Sequence, residues 1–127
     1  MQVLLVDDNP LMQQVISRFL MSQGYSVAVA DCAEAALHLA RHEVCRLLVI
    51  DMRLPDSDGP ELLLALRSEP GMADCPAIAV SGLGEDDRAW TVTAGFDAFL
   101  AKPIDLDELL DAVRRYVDVD RARAFGA

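Results

Sequence analysis

The sequence predicts one α/β domain in which helices cover both faces of a parallel sheet. Five short apolar segments alternate with five helical segments along 127 residues. The apolar segment Leu47–Ile50 lacks polar alternation, and such continuous runs are typical of strands buried on both faces. Helical crossovers between such strands favour parallel pairing with right-handed connections. We therefore predict a three-layer α/β sandwich around a five-stranded parallel sheet.

Length, composition and charge narrow the possible functions. The 127 residues correspond to one domain, and a hydrophobic fraction of 53% is enough for a core. The net charge of −10 argues against contact with nucleic acid or an anionic membrane. No apolar run approaches the ~20 residues of a membrane span, and we expect no signal peptide. Cys32, Cys45 and Cys75 form no paired motif, so we expect a reduced, cytosolic protein.

The first third of the chain predicts two strands around one helix. Val3–Val6 is the first strand. Asn9-Pro10 then begins a helix, because Asn is a favoured N-cap and Pro a favoured first residue. Gly24 supplies a left-handed C-cap that ends this helix. Residues Tyr25–Val29 alternate with period two, which predicts a strand at the edge of the sheet.

The central strand follows the second helix. We expect Asp31 to cap this helix with Glu34 as its capping-box partner, and the alanine-rich segment Ala33–Arg41 to form its body. The third strand ends at Asp51, and Pro55–Pro60 is rich in turn-forming residues.

The remaining elements repeat the alternation of strand and helix. They are a helix over Glu61–Arg67, a strand over Pro76–Val80, a helix over Glu85–Ala94 ended by Gly95, and a strand over Ala98–Ala101. Asp105 begins the last helix, with Glu108 three residues later. We assign residues 1–118 to the domain and 119–127 to a C-terminal tail or the start of a linker.

Polar side chains gather where four of the strands end. They are Asp7, Asp8, Asp51, Ser81 and Lys102. In open α/β sheets this carboxyl edge is where ligands bind. An aspartate there can simply cap the next helix, but two strands that both end in acid favour a metal site. Clustered carboxylates raise one another's pKa values, and a hard cation such as Mg²⁺ relieves the repulsion.

This set of side chains matches the needs of phosphoryl transfer to a carboxylate. A metal neutralises phosphoryl oxygens, the central Asp51 is the nucleophile, and the hydroxyl and ammonium groups hold the remaining oxygens. No glycine-rich phosphate loop follows the first strand, so the sequence gives little support to a nucleotide-binding function.

The sequence resembles the receiver domain of two-component response regulators over about Val3 to Val117. The matching segments are Val6-Asp7-Asp8-Asn9, Ile50-Asp51-Met52-Arg53-Leu54-Pro55, Asp58-Gly59, Val80-Ser81-Gly82 and Ala94–Pro103. The resemblance implies a flavodoxin-like, doubly wound fold with strand order 2-1-3-4-5 and five helices.

The resemblance also implies an acceptor and a metal site. A sensor histidine kinase or histidine phosphotransfer domain would donate a phosphoryl group to Asp51. Asp8, Asp51 and the backbone carbonyl of Arg53 would bind Mg²⁺ or Mn²⁺ directly, and Asp7 would act through a metal-bound water. The domain would assist its own phosphorylation and dephosphorylation without being an enzyme.

Groups around the acceptor would contact the phosphoryl group. By the resemblance these are the Ser81 hydroxyl, the Lys102 ammonium and the N–H groups of Met52, Arg53 and Gly82. The Lys102-Pro103 bond is usually cis in receiver domains.

A conformational switch is implied by the same resemblance. Ser81 would move toward the phosphoryl group, and Phe99 would turn into the space that it leaves. The sequence departs from the common pattern, because Ser81 stands where Thr is usual and Phe99 where Tyr is frequent. Arg53 and Leu83 border the path of the hydrolytic water in this family, and we hypothesise that they tune the phosphate lifetime.

Two surfaces are expected to bind partners. The phosphohistidine-bearing hairpin would dock on the first helix and the loop after the fifth strand, through Leu11, Met12, Val15, Pro103 and Ile104. The face made by the fourth helix, fifth strand and fifth helix would carry the output to an effector or a homodimer partner. Its candidate contact residues are Arg88, Trp90, Asp97, Arg114 and Arg115.

Two alternatives remain open at this point. A phosphatase of the haloacid-dehalogenase type also uses an aspartyl nucleophile, but it needs an acid two residues later, where this chain has Arg53. A degenerate receiver would act as a phosphorylation-independent interaction module, which the intact Asp8, Asp51 and Lys102 argue against.

Overall fold

The fold is a five-stranded parallel sheet with helices on both faces. The computed structural model describes residues 1–82 and 85–118, without the side chains of 85–87. The strands are β1 (Val3–Val6), β2 (Val27–Ala30), β3 (Leu47–Asp51), β4 (Ala77–Ser81) and β5 (Ala98–Ala101). They pair in parallel in the order β2-β1-β3-β4-β5, so the predicted class and topology are confirmed.

Five α-helices connect and follow the strands. They are α1 (Pro10–Ser22), α2 (Ala33–His42), α3 (Gly59–Arg67), α4 (Glu85–Ala94) and α5 (Leu106–Val113). A π-helical segment, Arg114–Asp118, continues α5 and buries Val117. The predicted tail 119–127 lies outside the described residues.

Two apolar clusters hold the three layers together. Alternate residues of the central strands point to opposite faces, so Leu4 packs with α2 and α3 whereas Leu5 packs with α1 and α5. The residues of β1, β3 and β4 are all buried, which explains their continuous apolar runs. Because these strands are fixed on both faces, their carboxyl ends hold the site rigidly.

Most predicted helix ends are confirmed. Asn9 accepts hydrogen bonds from the N–H groups of Leu11 and Met12 at the start of α1. Gly24 follows α1 with a φ of +96°, a conformation that favours glycine. Asp105 caps α5 as expected.

The predicted start of α2 is wrong. Cys32, not Asp31, is the N-cap, and its Sγ accepts from the N–H of Ala35 at 3.4 Å. The N–H groups of Ala33 and Glu34 instead donate to the carboxylate of Asp56 at 2.8 and 3.1 Å. A side chain from the loop after β3 therefore replaces the expected local capping box.

Other boundaries shift by a few residues. The edge strand begins at Val27 rather than Tyr25, because Tyr25 belongs to the turn after α1 and packs in the core. Helix α3 begins at Gly59, two residues earlier than predicted, because Asp58 accepts from the N–H of Glu61 and acts as its N-cap. Among the described residues, no helix is long and apolar enough to cross a membrane.

Candidate functional site

Three carboxylates converge at the carboxyl edge of the sheet. Asp7 and Asp8 follow β1, and Asp51 is the last residue of β3, its neighbour in the sheet. One carboxylate oxygen of each lies within 4.8 Å of the others. Asp7 and Asp51 are buried, with 2% and 5% exposure, whereas Asp8 is exposed. The structure thus brings together the three acids that the strand ends predicted.

Asp7 is held within the protein more tightly than its neighbour Asp8. Its carboxylate accepts from the N–H of Asn9 at 2.8 Å, and its carbonyl accepts from Nε2 of Gln13 at 2.6 Å. Burial raises the pKa of Asp7, the Asn9 hydrogen bond lowers it, and the charge of Asp51 raises it further. A raised pKa is the expected result of placing acids close together with little solvent.

Lys102 forms the cationic side of the site. Its Nζ donates to Oδ2 of Asp51 at 2.9 Å, and its backbone N–H donates to the carbonyl of Ser81 at 2.8 Å. Burial lowers the pKa of Lys102, but the hydrogen bond and charge of Asp51, with the charge of Asp7, outweigh burial and raise it. The ammonium is therefore fixed in its charged form beside the central carboxylate. The Lys102-Pro103 peptide bond is cis, as the resemblance implied.

Backbone groups of the loop after β3 complete the surroundings of Asp51. The N–H of Arg53 donates to Oδ1 of Asp51 at 3.0 Å. The N–H of Met52 donates to the carbonyl of Val80 at 3.0 Å and extends the pairing of β3 with β4. That donor is used within the sheet, so its predicted contact with a phosphoryl group requires this bond to be shared. The corresponding role of Gly82 stays a prediction.

The donor set suits a hard divalent cation. Carboxylate oxygens are the ligands that Mg²⁺ prefers, and two of the three carboxylates belong to rigid, buried positions. Asp8 is the most exposed of them, which leaves one side of the cluster open to solvent. The backbone carbonyl of Arg53 stays a predicted direct ligand of the metal.

The two predicted switch residues lie on neighbouring strands. Ser81 ends β4 and is 2% exposed, and it pairs in register with Ala101 of β5. Phe99 on β5 is half-buried and packs against the cluster on the α2–α4 face. The guanidinium carbon of Arg88 lies 5.0 Å from the centre of the Phe99 ring, within range of a cation–π contact. Their coupling stays a prediction.

The first helix presents apolar side chains beside the acids. Leu11 is 69% exposed and Val15 is 39% exposed, while Ile16 and Leu20 fill the core instead. Met12 and Ile104 are partly buried, and Pro103 is exposed. Leu11, Val15 and Pro103 are thus exposed, and the docking of a partner on these residues stays a prediction.

One residue of the predicted output face also has contacts within the domain. The Oδ2 of Asp97 accepts from the N–H of Ala77 at 2.9 Å and from Nη2 of Arg67 at 3.2 Å, and its role in partner contacts stays a prediction. Asp97 joins α3 to the sheet. Trp90 of α4 is only half-exposed, and the guanidinium carbon of Arg53 lies 5.4 Å from its ring centre. This contact links the loop after the acceptor strand to α4.

Two residues that position other groups, Gln13 and Asp56, were not predicted from the sequence. Gln13 lies four residues after the N-cap Asn9, a helical spacing that could have suggested a bond back to the acidic turn. The bond of Asp56 to α2 has no local signal, since 22 and 23 residues separate the partners. Leu83, predicted to tune phosphate lifetime, lies outside the described residues.

Comparison with known proteins identifies relatives of this arrangement. The sequence model of the family described as the response regulator receiver domain matches residues 3–114 of this chain. An uncharacterized 14.6 kDa protein of Leptolyngbya boryana is 38% identical over 117 residues, which cover 91% of this chain and 89% of that protein.

The C4-dicarboxylate transport transcriptional regulatory protein DctD of Pseudomonas aeruginosa is 37% identical over 121 residues. The match covers 94% of this chain but only 26% of that regulator, so the chain spans about a quarter of its length. A solved structure is also similar, that of the receiver domain of the sensor histidine kinase PA1611 from Pseudomonas aeruginosa. It has a TM-score of 0.84 and 31% identity, covers 92% of this chain and 97% of its own, and holds a magnesium ion in its active site cleft.

Proposed function

The chain belongs to the response regulator receiver domain family, and from this premise we propose that Asp51 accepts a phosphoryl group from phosphohistidine in a reaction that requires Mg²⁺ or Mn²⁺. The donor is a sensor histidine kinase or a histidine phosphotransfer domain, and the reaction takes place in the cytoplasm. The domain acts as the acceptor that assists its own phosphorylation and dephosphorylation, not as an enzyme that turns over a separate substrate.

One observation carries this proposal. The Asp51 carboxylate lies between the Lys102 ammonium at 2.9 Å and the acids Asp7 and Asp8, whose oxygens lie within 4.8 Å. A carboxylate used only for structure has no need of a second and third acid beside it. The arrangement offers a nucleophile, a cation and a set of oxygen ligands in one place.

The transfer forms a bond between a carboxylate oxygen of Asp51 and phosphorus, while the bond from phosphorus to the imidazole nitrogen of the donor breaks. A bound divalent cation would neutralise phosphoryl oxygens and the acid cluster. Lys102 holds a positive charge where negative charge collects, and its raised pKa keeps the ammonium protonated. The Ser81 hydroxyl and the N–H groups of Arg53 and Gly82 donate hydrogen bonds to the remaining phosphoryl oxygens.

The response reaches the surface through β5 and α4. Ser81 moves toward the phosphoryl group, and Phe99 turns inward into the space that the Ser81 hydroxyl leaves. Since Arg88 lies over the Phe99 ring at 5.0 Å and Arg53 lies 5.4 Å from Trp90, movement at either ring changes the surface of α4. The α4-β5-α5 face then binds an effector or a second copy of the chain.

The donor docks on α1 and the turn after β5. Leu11 and Val15 are exposed beside the acids, and apolar side chains that no core residue covers are available to a helical partner. Helix α1 follows Asp7 and Asp8 directly in the chain, so this surface begins next to the acid cluster.

The proposal is tested by intact mass spectrometry after incubation with a small acyl-phosphate donor. With Mg²⁺, the wild type should gain the mass of one phosphoryl group. Asp51→Asn should gain none, and wild type in a chelator should gain none. A wild-type chain that stays unmodified, even under short trapping times, would point instead to an interaction module that works without phosphorylation.

A further inference from the structure

A pair of cysteines lies at the opposite edge of the sheet from the acids. Cys45 precedes β3 and Cys75 precedes β4, and both are buried, with 3% and 7% exposure. Their Sγ atoms are 3.9 Å apart although 30 residues separate them in sequence. All three cysteines of the chain are thiols in this structure.

The sheet fixes this approach. Strands β3 and β4 are hydrogen-bonded neighbours, and the N–H of Leu48 donates to the carbonyl of Pro76 at 2.9 Å just beyond the two thiols. The Sγ of Cys75 also lies 3.5 Å from the carbonyl oxygen of Cys45. The two side chains are therefore held together by strand pairing and not by a flexible loop.

A cleft lies beside the pair. Its volume is about 370 Å³, and both cysteines line it together with Arg46, Asp74 and Gly71. The guanidinium of Arg67 donates two hydrogen bonds to the carbonyl of Cys75, at 3.0 and 3.3 Å. These bonds fix the backbone of Cys75 beside Cys45.

We propose that Cys45 and Cys75 are a reversible oxidation site that forms an intrachain disulfide when a peroxide enters this cleft. The thiolate of Cys45 attacks one peroxide oxygen, the O–O bond breaks, and the departing hydroxide takes a proton to become water. The Cys75 sulfur then attacks the resulting sulfenic sulfur, the S–S bond forms, and the S–O bond breaks to release a second water. Two thiols and one hydrogen peroxide thus give one disulfide and two waters.

The direction of attack follows from the contacts of the pair. The hydrogen bond from Cys75 is the largest influence on Cys45 and lowers the pKa of its thiol, although burial opposes it. The Sγ of Cys75 also donates to the carbonyl oxygens of Cys45 at 3.5 Å and Pro76 at 3.6 Å, which favours its protonated form. We therefore assign Cys45 as the attacking residue and Cys75 as the resolving one. A disulfide requires an S–S distance of about 2.05 Å. The sulfurs must therefore close from 3.9 Å.

Oxidation would covalently join the segments that lead into the two strands carrying Asp51 and Ser81. The oxidation does not require phosphorylation of Asp51. Cys32 lies after β2, at the other edge of the sheet, and its Sγ caps α2. It provides an internal control.

The test is oxidation of the reduced, full chain with hydrogen peroxide, followed by thiol titration and peptide mapping. The wild type should lose two of its three thiols and the mass of two hydrogens. Mapping should join the peptides that contain Cys45 and Cys75, and a reducing agent should restore both thiols. Cys32→Ser, in which a hydroxyl oxygen replaces the capping sulfur, should lose two thiols in the same way.

Two further variants separate the roles of the pair. Cys75→Ala should stop at a sulfenic acid on Cys45 that a dimedone-type reagent traps, and Cys45→Ala should react slowly. A wild-type chain that keeps all three thiols, or that joins Cys32 instead, would overturn the proposal. Because mapping uses the wild type, the result holds even if a variant folds poorly.

Discussion

Replacing Asp8 with asparagine should make the metal-free protein more stable, because it removes one charge from three crowded carboxylates. The carboxylate oxygens lie within 4.8 Å. Two unit charges at that separation repel by about 1 kcal/mol in a water-like dielectric and about 3 kcal/mol at an effective dielectric constant of 20. Asp8 is exposed, so the lower value applies to each of its two pairs, and its attraction to Lys102 offsets part of the gain. We expect a net stabilisation of about 1 kcal/mol.

Mg²⁺ should reverse this order. A ligand that binds only the folded state at 100 times its dissociation constant stabilises it by about 2.7 kcal/mol. The wild type should gain this amount, whereas Asp8→Asn lacks one carboxylate ligand and should gain much less. The wild type therefore becomes the more stable protein once the metal is saturating.

Urea denaturation in chelator and in Mg²⁺ measures both effects. Asp111→Asn on the exposed side of α5 is the matched control, because it removes the same charge outside the cluster. Its stability should change little in either condition. If Asp8→Asn is no more stable than the wild type in chelator, the three carboxylates do not repel one another as described. If Mg²⁺ stabilises both proteins equally, Asp8 is not a ligand of the metal.

Three other substitutions test separate parts of the structure. Gly59→Ala should lower the free energy of unfolding in urea by about 1–3 kcal/mol, because the added Cβ would lie 2.9 Å from Sδ of Met52. Gly82→Ala should lower it less, because its Cβ meets nothing closer than 3.8 Å. N–H groups of α2 lower the pKa of Asp56, so its carboxylate stabilises the fold above the unfolded-state pKa. The stability difference between wild type and Asp56→Asn should shrink as pH falls through the folded-state pKa, and a constant difference would refute the capping role. Leu11→Glu should slow phosphoryl transfer from a histidine donor but not from a small acyl phosphate. Leu64 on α3 is similarly exposed, and Leu64→Glu should slow transfer from neither donor. If Leu11→Glu slows transfer from both donors equally, Leu11 is not part of the docking surface.

Sequence patterns predicted the parts of the fold that depend on local chemistry. Continuous apolar runs identified β1, β3 and β4 because those strands are buried on both faces. Asn9 and Asp105 were recognisable caps because each bonds to residues two or three positions away. The acids of the site were predictable because parallel strands place their carboxyl ends at one edge.

Features that depend on pairing between distant segments were not predictable. The cap that Asp56 supplies to α2 and the bond of Asp97 to Ala77 both join elements about twenty residues apart. The same holds for Cys45 and Cys75, which meet only because β3 and β4 are neighbours. No local spacing distinguishes these residues from ordinary loop positions, so the sequence alone assigned them other roles.

The most direct test of our account is to locate the phosphoryl group itself. The chain would be phosphorylated with a small acyl phosphate in Mg²⁺ and reduced with borohydride, which converts an aspartyl phosphate to homoserine. Tandem mass spectrometry of the peptides then identifies the converted residue. We predict homoserine at position 51 alone, in place of Asp51. Conversion of Asp7 or Asp8, or of no residue in a folded chain that binds Mg²⁺, would contradict the assignment of the acceptor.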